Sequence, residues 1–271
     1  MHTPIQVDLT YAIRDPSGAP PSTITVGEGG QGRRRTGPEE QRQVAIRDAR
    51  SLRGELSLDL HGFRLVDHPV HGDLWDAAYR AQDYDRSIER LVKQETGAAR
   101  VVVFDHTLRS EAPDRQQGTH ARGPVQLVHN DYTPWSAEQR VRDVLAAEAE
   151  ALLAHRYAIV QVWQPIGRPV ARSPLAICDA RTLAAADRIT ARRVHPTRVG
   201  ETFHITYNPD HRWFWFPELQ PHEALVFKTF DSAEDGRARF TAHTAFELPG
   251  QAADAPARES IEARTLAFFA P

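Results

Sequence analysis

A β-sandwich or jelly-roll core with flanking helices is the fold class this sequence predicts, and three observations predict it. The C-terminal third is nearly all strand-like: ETFHITYN, RWFWFP, EALVFKTF, RARFTAHTAF and ESIEARTLAFF, separated by Pro, Gly and Asp turns. Helical periodicity is confined to a few short segments before and between the strands. There is no βαβ rhythm, no Gly-rich phosphate loop and no fixed-period repeat, which sets aside nucleotide-binding α/β folds, solenoids and propellers.

Taken in order, IQVDLTYAI alternates polar and apolar residues as a half-buried strand does. The segment near 15–43 is rich in Gly, Pro and charge and reads as a flexible loop or hairpin; its Arg33-Arg34-Arg35 run reads as solvated surface. From Asp85 to Gly97, Ile88, Leu91 and Val92 fall at helical spacing between an Asp start and a Gly stop. ARVVVFDHT then gives a buried strand, and residues 125–129 another. Ser136, with Gln139 three residues on, reads as a capping box opening a helix whose apolar face is Val141, Val144, Leu145, Ala149 and Leu152. YAIVQVW is a strand ending at Pro165, and ARTLAAADRI a shorter helix.

The chain has 271 residues and a formal net charge of -3, which fits one large domain spanning residues 1–271 and argues against a basic nucleic-acid-binding face. No apolar run approaches the ~20 residues of a membrane-spanning helix. The N-terminus MHTPIQVDLTYAIRD lacks a secretory pattern. One cysteine, Cys178, forms no intrachain disulfide, so a reducing, cytoplasmic setting is expected. All basic residues but Lys93 and Lys228 are arginine, so an arginine carries little information by itself. Most of the thirteen histidines read as ordinary: His61, His68 and His71 lie in a turn-rich stretch, and His195, His211 and His222 adjoin prolines or turns.

His129 and Asp131 differ, because they end an apolar strand as V-H-N-D-Y. Residues i and i+2 of an extended chain point to one face, so imidazole and carboxylate can converge on one metal. His243 lies inside FTAHTAF, another strand. Two histidines and one carboxylate, leaving three positions open, form the facial triad of non-haem Fe(II) oxygenases. On the last strand Arg258, Ser260, Glu262 and Arg264 share one face by period 2. The planar guanidinium fork of arginine suits a carboxylate. The alternative is that these arginines sit on the surface of an edge strand.

FDHTLR, HNDYT, VWQPIGRPV, PLAICDAR, TYNPDHRWFWFP, EALVFKTFDS, HTAFELP and RESIEAR, in that order, resemble the iron- and 2-oxoglutarate-dependent oxygenases of fungal and bacterial natural-product pathways. That family includes an aspergillic-acid hydroxylase/desaturase and a cephamycin 7-hydroxylase component. The resemblance runs from about Val44 to the C-terminus. It implies a double-stranded β-helix (jelly-roll, cupin-like) core, with His129, Asp131 and His243 as iron ligands. It also implies Arg258 with Ser260 as the clamp for the far carboxylate of 2-oxoglutarate, with Arg264 the competing candidate. Fe(II), 2-oxoglutarate and O2 would together hydroxylate or desaturate a small natural-product intermediate, amino-acid- or peptide-derived, giving succinate and CO2. Gln164 stands where the family pattern leads to a basic residue, and Gln161 where it leads to asparagine; both are expected to alter the pocket without touching the triad.

Tyr132, Trp135, Trp163 and Trp213 are candidate substrate-pocket aromatics, with plain core packing the alternative for each. Alternation sends two of Trp213, Phe214, Trp215 and Phe216 to each face. Lys228, in the apolar strand ALVFKTF, needs a partner if buried. A co-substrate or substrate carboxylate would serve, and an edge-strand position is the alternative. Two other functions compete: a cupin-type metal enzyme that does not use 2-oxoglutarate, against which the Arg258 and Ser260 pair argues, and a non-catalytic jelly-roll binding protein.

Overall fold

The computed structural model describes residues 3–26, 32–118, 121–195, 198–252 and 254–270. Its strands are β1 (Ile5–Ala12), β2 (Ser22–Val26), β3 (Gly32–Thr36), β4 (Glu39–Asp48), β5 (Phe63–Asp67), β6 (Arg100–Ser110), β7 (His129–Asn130) and β8 (Tyr157–Pro165). Then follow β9 (Leu175–Cys178), β10 (Arg188–His195), β11 (Arg198–Ile205), β12 (Trp213–Trp215), β13 (Glu223–Asp231), β14 (His243–Ala245) and β15 (Glu259–Phe268). They form two sheets, in the orders β1-β4-β12-β9-β14-β7-β11-β10-β2-β3 and β5-β13-β8-β15-β6. Most pairings join antiparallel strands distant in sequence, as in a jelly roll; the exceptions are two parallel pairs, β10–β2 and β12–β4, and the local hairpins β2–β3 and β10–β11.

Side-chain alternation explains how the sheets meet. On β8 the odd-numbered residues, Gln161 and Trp163, face the larger sheet; Trp163 packs with Ile177, Phe214, Phe63, Leu225 and Phe227 in a core between the sheets. The even-numbered Ala158, Val160 and Val162 face outward onto the helix Asp85–Thr96. That helix buries Ile88, Leu91 and Val92 and stops at Gly97, whose φ of 73° only glycine adopts without cost. Burial of each of those three side chains is worth roughly 1.5–3 kcal/mol, enough to fix the helix on the sheet.

Several expectations shift. Of the loop or hairpin expected near 15–43, the hairpin is present as the antiparallel β2–β3 pair, followed by the start of β4; residues 27–31 lie outside the described set. Residues 125–129 give only the two-residue β7 plus a single bridge from Leu127 to Thr10. The helix expected to open at Ser136 runs Pro134–Leu145 and is capped by Thr133, with Ser136 as the reciprocal partner at the third position. Pro134 explains the earlier start, since its fixed φ and missing N–H suit the first helical position. ARTLAAADRI is two 3-10 turns followed by the start of β10. Strands β5 and β9 carried too few alternating residues to be read. No helix is long and apolar enough to cross a membrane among the described residues.

Candidate active site

The central ladder of the larger sheet places both histidines. His243 on β14 lies directly opposite His129 on β7, and directly opposed residues of an antiparallel pair share a face. Their ring centroids stand 4.4 Å apart, and Phe227 packs edge-on against His243 at 4.9 Å. Asn130, on the other face, anchors the turn that follows: its amide donates to Tyr132 O at 2.8 Å and Thr229 O at 2.9 Å, and its oxygen accepts from Thr241 N. Asp131 then swings back, with Oδ1 3.5 Å from His129 Nε2. One ligand atom from each of His129, Asp131 and His243 lies within 4.8 Å of the others.

The donor set is prepared for a metal. Nδ1 of His129 lies 2.8 Å from Leu127 O, and Nδ1 of His243 lies 3.1 Å from Thr241 O. A carbonyl accepts only from N–H, so both Nε2 lone pairs are left free, the arrangement that outer partners impose on ligating histidines. Burial, reinforced by His243, pushes His129 down to about 3 and keeps it neutral. Burial alone would raise the Asp131 carboxyl; the Arg264 guanidinium overcomes it and holds the group well below the usual carboxylate range.

The smaller sheet supplies the opposite wall. Arg264 on β15 is registered with Gln161 on β8 and Asp105 on β6, Glu262 with Trp163 and Thr107, and Ser260 with Pro165 and Arg109. Arg264 donates from Nε (3.0 Å) and Nη2 (2.8 Å) to Asp131 Oδ2, and from Nη1 to Asp105 and Thr107, both at 2.7 Å; it also contacts Glu262. Gln161 Nε2 donates to the same Asp131 oxygen at 2.8 Å. One carboxylate oxygen is therefore saturated by the protein, and Oδ1 remains for a ligand. Gln161 thus touches the triad directly, contrary to expectation. Gln164 lies elsewhere, bonding His68 and Pro221.

A pocket opens beside the histidines, lined by Arg109, His129, Trp163, His243, Arg258 and Glu262. Arg258 is buried over the Trp163 ring at 5.6 Å, and one of its amino groups donates to Ser173 O. Its Nε and the Ser260 hydroxyl are buried with no hydrogen-bond partner. Burial, with Arg109 adding repulsion, draws the Arg258 guanidinium down to about 9. A buried cation beside unsatisfied donors is an environment made for an anion.

Other sequence candidates fall differently. Arg264 is fully engaged by Asp131, Asp105, Thr107 and Glu262 and so is a holder of the triad, with no donors left for a co-substrate. Lys228 is buried, but its ammonium meets Asp59 at 2.6 Å and Asp231 at 2.8 Å, so the chain itself supplies the partner expected from a co-substrate. Trp213 is core, its indole N–H donating to Tyr11 Oη at 2.8 Å. The other three aromatics of that run are core as well. Tyr132 is buried, while Trp135 is 46% exposed on the first turn of its helix. His68 and His211 are buried and hydrogen-bonded, not exposed; the His195 side chain lies outside the described set. Arg109, Gln161 and Glu262 join the site without having been singled out for it. A second His-carboxylate group, Asp67, His222 and Glu223, has its carboxylates held by Arg53 and Arg50.

His204 on β11 lies opposite His129 on its other side. Burial, with Arg35 and Arg193 nearby, pushes it down to about 4. The unfolded chain binds this proton below about 6.5 and the folded chain only near 4. Stability is therefore expected to fall as pH drops through that window, by up to about 3 kcal/mol for one such group, and to level off below it. Thermal unfolding of metal-free protein between pH 7 and 4 checks this: His204→Gln should flatten the slope, and an unchanged slope would refute the assignment.

Comparison with known proteins agrees with this geometry. A protein family described as an oxidoreductase/YMDC permease-like domain matches residues 9–268. The hydroxylase/desaturase efuI of Hormonema carpetanum is 32% identical over 248 residues, 83% of this chain and 83% of that protein. The Fe(II)/2-oxoglutarate-dependent dioxygenase nvfI of Aspergillus novofumigatus is 32% identical over 234 residues, again 83% of each. A solved structure of the iron and alpha-ketoglutarate-dependent endoperoxidase NvfI matches with a TM-score of 0.87 at 28% identity, covering 99% of each chain.

Proposed function

The chain belongs to the Fe(II)- and 2-oxoglutarate-dependent oxygenase family, and on that premise we propose that His129, Asp131 and His243 hold the iron while Arg258 and Ser260 hold 2-oxoglutarate. The protein is an oxygenase using Fe(II), 2-oxoglutarate and O2 on a small natural-product molecule, in the hydroxylase/desaturase group. The finer expectation is an amino-acid- or peptide-derived intermediate. When bound, iron with 2-oxoglutarate activates O2 to abstract hydrogen from a substrate C–H bond, releasing succinate and CO2.

The chain's own residues have separate tasks. The carbonyls of Leu127 and Thr241 fix the imidazole tautomers, and Arg264 with Gln161 orients Asp131 so that only Oδ1 is offered. Trp163, Leu175 and Val125 give the pocket apolar walls beside its charged groups. The observation that carries the reading is Arg258, a buried cation whose Nε has no hydrogen-bond partner, in the pocket that the two histidines line, with the unsatisfied hydroxyl of Ser260 two residues further along the chain. No group among the described residues answers them, and the far carboxylate of 2-oxoglutarate has the charge and the acceptors to do so.

Arg258→Gln is expected to raise the KM for 2-oxoglutarate by at least about tenfold, the loss of one charge-assisted hydrogen bond, with iron content unchanged. Succinate release against 2-oxoglutarate concentration measures it. An unaltered KM would assign the co-substrate carboxylate to another group.

A further inference from the structure

The face that carries both histidines continues past them across the larger sheet. His204 lies opposite His129, and Ile189 on β10 lies opposite His204. Two and four residues further along β10, Ala191 and Arg193 present the same face by period 2. Arg193 thus projects on the triad side, and the charged and titratable groups acting on it are Asp131, Arg264, Arg122 and Tyr132.

Arg193 differs from the other arginines near this site. Arg264 is saturated, Arg109 donates to Gly123 O and faces Glu262 at 4.0 Å, and Arg258 belongs to the co-substrate pocket. Arg193 is partly buried, yet it has no ion pair or hydrogen bond among the described residues. Asp131 cannot serve as its counter-ion, because Oδ2 already accepts from Arg264 and Gln161 and Oδ1 faces the histidines. Directly opposite Arg193 on β11 is Gly200, and a Cβ built there meets nothing within 4 Å, so the position facing Arg193 across the ladder is open. Neighbouring Thr202 and His204 on the same face add hydrogen-bonding groups toward the triad.

We infer that Arg193, with Gly200 leaving room beside it and His204 between it and the triad, forms a substrate subsite for a carboxylate. The substrate of this enzyme is then a small molecule that carries a free acid group, docked by that acid on Arg193 so that an apolar part reaches the triad. A planar guanidinium takes a carboxylate bidentately, and docking by a remote charged group positions a chemically unremarkable C–H bond. This inference rests on the functional reading above for where the reacting atom sits, but the acid subsite is a property of the chain alone.

The test compares acids with their neutral isosteres: 4-phenylbutyrate and N-acetylphenylalanine against the corresponding carboxamides. Affinities are measured by calorimetry on the full chain, once loaded with Fe(II) and saturating 2-oxoglutarate and once metal-free. Each acid is expected to bind about tenfold more tightly than its amide, the value of a charge-assisted pair. Arg193→Gln should erase that preference, Arg193→Lys should keep part of it, and Gly200→Leu should weaken acid and amide together. Unfolding temperature and iron content guard against a folding artefact; since Arg193 has no partner among the described residues, Arg193→Gln is expected to fold as the parent does. Equal binding of acid and amide, absence of binding by either, or an acid preference that survives Arg193→Gln would overturn the inference. An acid preference lost in Arg193→Gln, in a chain that binds neither Fe(II) nor 2-oxoglutarate, would leave the subsite standing and sink the oxygenase site assignment instead.

Discussion

Replacing His243 by alanine is expected to strip the protein of iron and to lower 2-oxoglutarate turnover by more than the ~100-fold that loss of an outer partner costs a metal site. The reason is arithmetic in ligands: three side chains converge, and removing one leaves a pair that cannot hold Fe(II) against solvent. His243 contributes its free Nε2 because Thr241 O engages Nδ1. The truncation also leaves a gap against Phe227, whose ring packs edge-on to the imidazole, so some loss of stability accompanies the loss of metal. His243→Gln fills most of that gap without restoring an imidazole. It should therefore recover unfolding temperature while remaining iron-poor. Metal analysis and succinate release, read beside circular dichroism, separate the two effects. An iron-replete, active His243→Ala would place the metal elsewhere.

Arg264→Met should be among the most destabilising changes in the molecule, by about 3–5 kcal/mol, because it leaves buried acids without their cation. Arg264 has burial against it, yet Glu262 and Asp131 hold its charge in place, well above the usual arginine range. Removing it strands Asp131, 7% exposed, and Glu262, 4% exposed. Lysine cannot rescue it, since two donors converge on Asp131 Oδ2 while a third nitrogen reaches Asp105 and Thr107. A discriminating companion is Arg264→Met with Glu262→Gln. Neutralising Glu262 should return part of the stability but none of the iron affinity, because Asp131 is left with Gln161 alone to orient it. Denaturant unfolding of the metal-free chain and Fe(II) titration report the two quantities. Equal stability of Arg264→Met and the parent would mean that the Asp131 carboxylate needs no such partner.

How much of this could be read without coordinates depended on range. Features that live within a few residues were legible: the His129–Asp131 spacing, the shared face of Ser260, Glu262 and Arg264, and the helix ending at Gly97. What needed cross-strand register was not. Gln161 meets Asp131 only because β8 lies beside β15 with Gln161 opposite Arg264, and His204 neighbours His129 only through the β7–β11 pairing. Period 2 says which residues share a face, but not which face is inner. Trp213 therefore read as a pocket candidate and proved to be core, while Lys228 read as a co-substrate partner and proved to be neutralised by Asp59 and Asp231. Arginine abundance hid the useful distinction: what separates Arg258, Arg264 and Arg193 is which of their donors are already taken.

Anaerobic addition of 2-oxoglutarate to the Fe(II)-loaded protein tests most directly whether one chain binds Fe(II) through His129, Asp131 and His243 and 2-oxoglutarate beside it through Arg258 and Ser260. A new visible absorption band is expected that saturates with one equivalent of 2-oxoglutarate, is absent in His243→Ala, and requires much more 2-oxoglutarate in Arg258→Gln. On admission of O2 the band should decay with release of succinate. No band and no succinate from iron-replete protein would contradict the account, as would a band indifferent to both substitutions.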